Sequence, residues 1–354
     1  MAITAAMVKE LREKTGAGMM DCKKALVESN GDLDAASEWL KNKGLSSAGK
    51  KSDRVAAEGA VVVELNDDLT KATMVEVNAE TDFVAKNDKF QEFAKSVAKQ
   101  VADINPSDID YLNKSTINGE NFEEYVKLNI ATIGENLVVR RFANYEAKDN
   151  EVVNGYTHMG GKIGVLVKAS FGKAEAKDKV GEFLKQLSMH IAALKPQILS
   201  YEEFDESFVD SETKGMIEEI KKENEERVRL KKPLKNVPEF VSKKQLSDDV
   251  MAQVEQRLKE ELKAEGKPEK IWDKILPGKI ARYIADNTLL DQKLCLLDQF
   301  YALDDKKSVS QIIEEKSKEL GTDVKVLEFV RFELGDGIEK KDDDFAAEVE
   351  AQLK

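Results

Sequence analysis

The sequence predicts an α+β protein: a short N-terminal three-helix module, a two-part core of small antiparallel sheets with packed helices, and a protruding helical hairpin. Three observations predict it. Charged residues make up 35% of the 354 residues and aromatics only 6%, a balance that suits long solvated helices better than an aromatic-rich β-sandwich. Two stretches read as β-hairpins, with apolar runs flanking polar or glycine turns. A third, 203–265, is dense in Glu and Lys and carries sparse apolar stripes at helical spacing. The length allows more than one core-forming unit, and 41% hydrophobic residues can fill it.

Thr4 caps a first helix with Met7, Val8 and Leu11 on one face, ended by Gly16 and Gly18. A second helix, over about 19–28, carries Cys22 and Leu26 one turn apart. Ser29-Asn30-Gly31 is a turn, and Asp32 caps a third helix with Leu33, Ala36, Trp39 and Leu40. Gly44 is expected to stop that helix. So few large apolar groups make a marginal core, which favours docking or binding. The Ser-, Lys- and Gly-rich stretch 45–54 reads as a linker. The pattern then turns to β: the runs 60–65 and 73–77 flank Asn66-Asp67-Asp68. After Thr81-Asp82-Phe83-Val84 comes a helix from about Asn87, with Phe90, Phe93, Val97 and Val101 on one face. Stretch 122–133 reads as helix and 137–142 as strand. The hairpin-plus-helix then echoes itself. Residues 155–158 pass through Met159-Gly160-Gly161 into 163–167, and a helix follows with Phe183, Leu187 and Ile191 at four-residue spacing. His190, on that apolar helix, is expected to pack in the core.

The 203–265 stretch reads as an antiparallel pair of helices of ~24 residues each, ~36 Å long at 1.5 Å per residue. Met216, Ile217 and Ile220 mark one stripe and Met251, Val254, Leu258 and Leu262 the other, and Pro233 and Pro238 break the run between them. Such an arm is either a solvated charged face or a homodimer or partner contact. A helix toward Tyr283, a strand over 324–334 and a tail helix over 345–353 complete the chain. The expected organisation is a helical module at 1–45, a linker at 46–55 and a core N-subdomain at 56–145. A C-subdomain at 146–202 and 286–334 is interrupted by the arm and its insertion at 203–285, and a C-terminal module occupies 335–354.

The net charge of −13 argues against nonspecific binding to a phosphate backbone. No direct nucleic-acid partner is expected. Cys22 and Cys295 cannot build a disulfide framework, and they lie too far from His158 and His190 in ligand-pair spacing to suggest zinc. No cofactor or metal is expected. No segment approaches a membrane span, and Met1-Ala2-Ile3-Thr4 lacks the pattern of a signal peptide. A reduced, cytoplasmic protein is the expectation. Residues 44–50 match the first seven positions of a P-loop, but Lys51 stands where Ser or Thr must bind magnesium, and a helix precedes it where a strand is required. A flexible basic linker is the better reading.

Thr15-Gly16-Ala17-Gly18-Met19-Met20-Asp21-Cys22-Lys23-Lys24-Ala25-Leu26 closely resembles the N-terminal signature of the elongation factor Ts family. Glu76-Val77-Asn78-Ala79-Glu80-Thr81-Asp82-Phe83-Val84-Ala85-Lys86 resembles its second signature. Ile133-Gly134-Glu135-Asn136, the stretch 156–167, Met189-His190-Ile191-Ala192-Ala193 and the stretch 331–340 are similar too, in the family's order. The likeness covers about 1–200 and about the last 70 residues. It departs over 203–250, which is longer than the family's usual arm. The resemblance implies a UBA-like first module and a protein without an active site, a guanine nucleotide exchange factor for elongation factor Tu in translation elongation.

The resemblance also implies a mechanism. Thr81, Asp82, Phe83 and Val84 would enter the GTPase's nucleotide domain and dislocate its magnesium. Phe83 would act as an apolar wedge, Asp82 as a steering polar contact and Val84 as the inward anchor. Gly16, Met19, Met20 and Asp21 would touch the same domain, and His158 the third domain. The residues alone leave other roles open. Phe83, seven residues before Phe90, could pack on the helix start, Asp82 could cap a helix, and Met19-Met20 suits a core as well as an adaptable contact. Two other classes compete: an acidic helical scaffold that dimerises through the arm without exchange activity, and a nucleotide-binding enzyme using 44–50.

Overall fold

A computed structural model describes residues 3–339, so the tail helix expected over 345–353 lies outside the described residues. The chain forms two compact units, one up to Ala192 and again from Phe329, the other from Ala193 to Glu328.

The first unit begins with α1 (Ala5–Thr15), α2 (Met19–Glu28) and α3 (Leu33–Gly49). Thr4 and Asp32 cap α1 and α3 through their side chains, as their positions predict, and Gly16 ends α1 at φ +67°. Leu11, Cys22, Ala25, Leu26 and Ala36 form the small core of this module. Helix α3 does not stop at Gly44 but runs on to Gly49, so the expected linker is partly helix. The reason is packing. A Cβ on Gly44 would stand 3.1 Å from the Ala131 Cβ and 3.6 Å from Leu128. Both belong to α7 (Phe122–Ile133). The glycine is there for close helix approach, not termination. Gly44→Val is therefore expected to cost about 1–3 kcal/mol by overpacking, read as a lower urea midpoint at unchanged slope. The same continuation places 44–49 of the P-loop-like stretch on a helix, where no phosphate cradle can form.

Strands β1 (Glu58–Leu65) and β2 (Lys71–Ala79) pair antiparallel across the predicted turn, with Val62 opposite Val75. A single turn, α4 (Asp82–Ala85), leads into α5 (Asp88–Ile104). Phe90, Phe93, Val97 and Val101 of α5 are fully buried, worth ~1.5–3 kcal/mol each relative to exposure. Then come α6 (Ile109–Lys114), the two-residue strands β3 (Thr116–Ile117) and β4 (Glu120–Asn121), α7, and β5 (Val138–Glu146). Strand β5 pairs with β2, giving the order β1-β2-β5. The second copy repeats this plan. Strands β6 (Glu151–His158) and β7 (Ile163–Phe171) form a hairpin, α8 (Lys177–Leu194) packs Phe183, Leu187 and Ile191 inward with His190 buried, and a later strand pairs with the second hairpin strand. That strand is β10 (Val324–Glu333), which enters this unit at Phe329, and the order is β10-β7-β6. The echo in the apolar pattern is thus an echo in topology.

The second unit contains α9 (Glu206–Arg229), α10 (Asp248–Ala264), α11 (Trp272–Asp286), α12 (Leu289–Leu294), the short strands β8 (Phe300–Tyr301) and β9 (Asp304–Ser308), and α13 (Val309–Leu320). A helical hairpin is present, but α10 pairs with α11 rather than with α9. Val254, Leu258 and Leu262 meet Trp272, Ile275 and Leu276. Arg257 stacks over Tyr283 at 5.4 Å, and Lys279 bonds Glu261 and Glu265, the pattern of an antiparallel pair. The return segment after α9 instead runs back along it without an α-helix, with a single 3-10 turn at Lys243–Gln245. Lys235 bonds Asn224 and Glu223, and Gln245 bonds Thr213. Pro233 and Pro238 deny that segment helical hydrogen bonds, so side chains of α9 supply partners for its backbone.

Candidate functional site

The corner between β2 and α5 is over-determined. Thr81 caps α4, accepting from the Val84 N–H at 3.3 Å. Its own N–H and hydroxyl donate to the two oxygens of Glu135 at 3.0 and 2.6 Å. Asn87 caps α5 by accepting from the Lys89 N–H, so the capping role open to Asp82 is taken by Thr81 and Asn87. The Gln91 amide donates to the Ala85 carbonyl at 2.6 Å and closes the corner from the other side. Ala85 is buried and Val84 packs against the main core. Phe83, the residue just before them, is 82% exposed. It does not pack on the start of α5. A phenyl ring held in water by a rigid turn forgoes about 2–3 kcal/mol of burial. Beside it, the hydrogen bond from Lys86 at 2.7 Å holds the Asp82 carboxyl below the usual carboxylate range, with Lys162 adding to the pull.

Behind the corner lies a buried charge that the sequence did not single out. The Glu76 side chain is fully buried and receives Arg140 at 3.0 Å, Arg141 at 2.5 Å and the Gly335 N–H at 2.9 Å. Burial pushes this carboxyl up, but the Gly335 N–H and the two guanidiniums outweigh it and hold it below its ordinary value. Arg141 also donates to the Glu333 carbonyl and lies 4.3 Å over the Phe332 ring, while Arg140 bonds the Asp336 carbonyl. Gly335, at φ +71°, can be nothing larger: a Cβ would fall 2.4 Å from the Ala57 carbonyl oxygen. Nearer the corner, Glu80 accepts from the Asn136 N–H at 2.6 Å, and the Asn136 amide donates to the Ser52 and Arg54 carbonyls. The family-like stretches 133–136 and 331–337 therefore converge from distant parts of the chain on the end of β2 and the residues that lead from it into the corner of Thr81 to Val84. The sequence offered one unread signal, the adjacent Arg140-Arg141 within an apolar strand.

The other predicted contacts are on the same unit. Met19 and Met20 are exposed at the start of α2, and Asp21 pairs with Lys43 at 2.5 Å. The Gly16 turn lies beside Thr132 and Lys89, a few residues along the chain from Phe83. His158 ends β6 at the exposed hairpin turn, its Nδ1 2.9 Å from the Tyr156 hydroxyl, with Met159 exposed next to it. That turn is tied to the first hairpin through the Val61 N–H and the Gly161 carbonyl at 2.7 Å. Among the described residues no cluster of His, Cys, Asp and Glu could hold a metal, and no helix is long and apolar enough to cross a membrane.

Comparison with known proteins bears on this arrangement. The family model described as elongation factor TS matches residues 80–237 and 235–336. A protein of Campylobacter concisus named elongation factor Ts is 56% identical over 353 residues, all of both chains. Proteins of the same name from Helicobacter hepaticus and Wolinella succinogenes are each 53% identical over 99% of both chains. These alignments run through 203–250, so the long arm has counterparts in these relatives. With one family model spanning most of the chain and full-length relatives above half identity, this protein belongs to the elongation factor Ts family.

Proposed function

We propose that this chain performs its family's role, guanine nucleotide exchange on elongation factor Tu during translation elongation, by pressing the corner of Thr81, Asp82, Phe83 and Val84 against the GTPase beside its magnesium ion. The observation that supports this best is the exposed ring of Phe83 on a turn held by Glu135 on one side and Gln91 on the other. A rigid wedge enters a neighbour without first being ordered, so little of its binding energy is lost to conformational entropy. Asp82, its charge kept by Lys86, steers the approach. Gly16, Met19, Met20 and Asp21 touch the nucleotide domain, and His158 touches the third domain.

The energetics are those of binding, not of chemistry. Exchange needs neither nucleophile nor acid–base pair, and the chain acts as a cytoplasmic binding protein with no reaction of its own. Release accelerated about 10⁴-fold corresponds to a barrier lower by ~5.5 kcal/mol. Loosening a metal that bridges phosphate and protein can supply much of that. By linkage, the factor binds the empty GTPase more tightly than the loaded one, and nucleotide expels the factor in the same proportion.

Magnesium itself provides the test. GDP release from elongation factor Tu is followed with a fluorescent nucleotide, with magnesium present and after chelation. The acceleration by this chain is expected to shrink at least tenfold once the metal is gone, because the step it promotes has already occurred. Equal acceleration in both conditions would remove the metal from the mechanism.

A further inference from the structure

The stretch between α3 and β1, which its composition presents as a linker, is bound to the core at several points. Ala48, near the end of α3, is buried in the same cluster as Phe90 and Val97. Lys41 of α3 pairs with Glu120 at 3.1 Å and with Glu124 at 3.4 Å, where α7 begins. Gly44 lies against Ala131, where α7 nears its end. Beyond α7 three consecutive residues each take hold of a different piece of chain. The Gly134 carbonyl accepts from Lys51 Nζ at 2.6 Å. Glu135 receives both donors of Thr81. Asn136 grips in two directions. Its N–H donates to Glu80 at 2.6 Å, and its side-chain amide donates to the Ser52 carbonyl at 3.4 Å and the Arg54 carbonyl at 2.8 Å. Both amide hydrogens thus find an acceptor, as burial of the residue requires. Arg54 closes the ring by pairing with Glu80 at 3.4 Å. The exit from the N-terminal module and the corner that carries Phe83 therefore share one anchor.

We propose that Asn136 is a positioning residue that fixes the N-terminal module relative to the wedge, so that the surface from Gly16 to Asp21 and the ring of Phe83 meet the GTPase's nucleotide domain in one register. The kinetic consequence rests on the exchange role proposed above; the fixing itself does not. Two contacts carried on one rigid body need only one search. Once the first forms, the second is intramolecular and loses little further freedom, whereas a slack tether lowers its effective concentration. The atoms divide the labour. Glu135 and the Asn136 N–H hold the corner, while the Asn136 side chain alone reaches from this loop to the carbonyls at 52 and 54. Asn136→Ala therefore frees the module and leaves the bonds of the wedge in place. Glu135→Ala frees the wedge and leaves the module tied. Adjacent residues should then have opposite kinetic signatures. Asn136→Ala should raise the concentration of factor that gives half-maximal GDP release about tenfold at an unchanged maximal rate. Glu135→Ala should lower the maximal rate. A purely structural role for Asn136 would instead lower the maximal rate along with the folded fraction.

Distances between two spin labels on the full chain test the fixing directly. Glu28→Cys in α2 and Lys95→Cys in α5 place labels at exposed positions, and Cys22 and Cys295 are buried away from the reagent. The labelled chain is expected to show one narrow distance distribution. Adding Asn136→Ala should widen it about twofold, as a freed tether samples more separations. A second variant, Lys51→Ala with Arg54→Ala, loosens the same tie at residues that are not buried, so it reads the effect even where Asn136→Ala does not fold. The release assay with elongation factor Tu and a fluorescent nucleotide is run on the unlabelled forms of the same variants. A wide distribution in the otherwise unaltered chain overturns the proposal. So do a distribution and a half-maximal concentration that neither variant changes, or a maximal rate that falls with Asn136→Ala as far as with Glu135→Ala. A chain that never accelerates release ends the exchange role instead, and the widening of the distances still decides whether Asn136 holds the module.

Discussion

Phe83→Ala is expected to slow GDP release from elongation factor Tu by about a hundredfold, ~2.7 kcal/mol, while leaving the fold untouched. The magnitude is that of a buried aromatic anchor lost from the middle of an interface. The second half of the prediction is as informative as the first. Because the ring is 82% exposed in the free protein, its removal should move the urea midpoint by no more than ~0.5 kcal/mol. Stopped-flow release with a fluorescent nucleotide and equilibrium unfolding on the same sample read both numbers. A release rate equal to wild type would end the wedge role. A large loss of stability would place the ring against its own chain, contrary to its exposure. Thr81→Ala is a useful companion. It keeps the ring but removes the hydroxyl that donates to Glu135 and caps α4, so it should weaken exchange by loosening the turn.

The largest effect on stability is expected at Glu76. Glu76→Ala leaves Arg140, Arg141 and the Gly335 N–H without their common acceptor. Removing one member of such a buried ion cluster costs ~3–5 kcal/mol. The lower end applies here, because both arginines retain some access to water. Glu76→Gln keeps the shape and removes the charge, and it isolates the acid dependence. The native carboxyl is held below its ordinary value of 4.5. Its contribution is therefore complete above that value and is lost as pH falls through the lower native one. As pH falls below the ordinary value of 4.5, wild type should lose stability faster than Glu76→Gln does, by urea unfolding at each pH. Parallel curves would mean the carboxylate is not the proton-linked group.

These two residues, Phe83 and Glu76, show why parts of the site were legible and others were not. Phe83 belongs to a contiguous run, Thr81-Asp82-Phe83-Val84, whose likeness to a family signature is local and readable. Its exposure is not local. Helical spacing to Phe90 permitted a packed ring, and only the turn set by Thr81 and Glu135 turns it outward. Glu76 read as one polar position in an apolar strand. Its partners come from Arg140, Arg141 and Gly335, up to 259 positions away along the chain. No periodicity encodes such a meeting.

Local physics determined the elements: two-residue alternation in the hairpins, four-residue spacing in α5 and α8, and the side-chain caps Thr4, Asp32 and Asn87. The sequence alone also carried the family likeness and the corner that bears the wedge. Tertiary structure decided whether Gly44 ends a helix or lets α3 approach α7, and whether α10 pairs with α9 or with α11. It also decided where the buried charge of Glu76 is neutralised. Caps and periodicity act within a turn or two of chain. A glycine's purpose, a helix's partner and a buried ion's counter-charge depend on which distant surface arrives, and packing selects that surface.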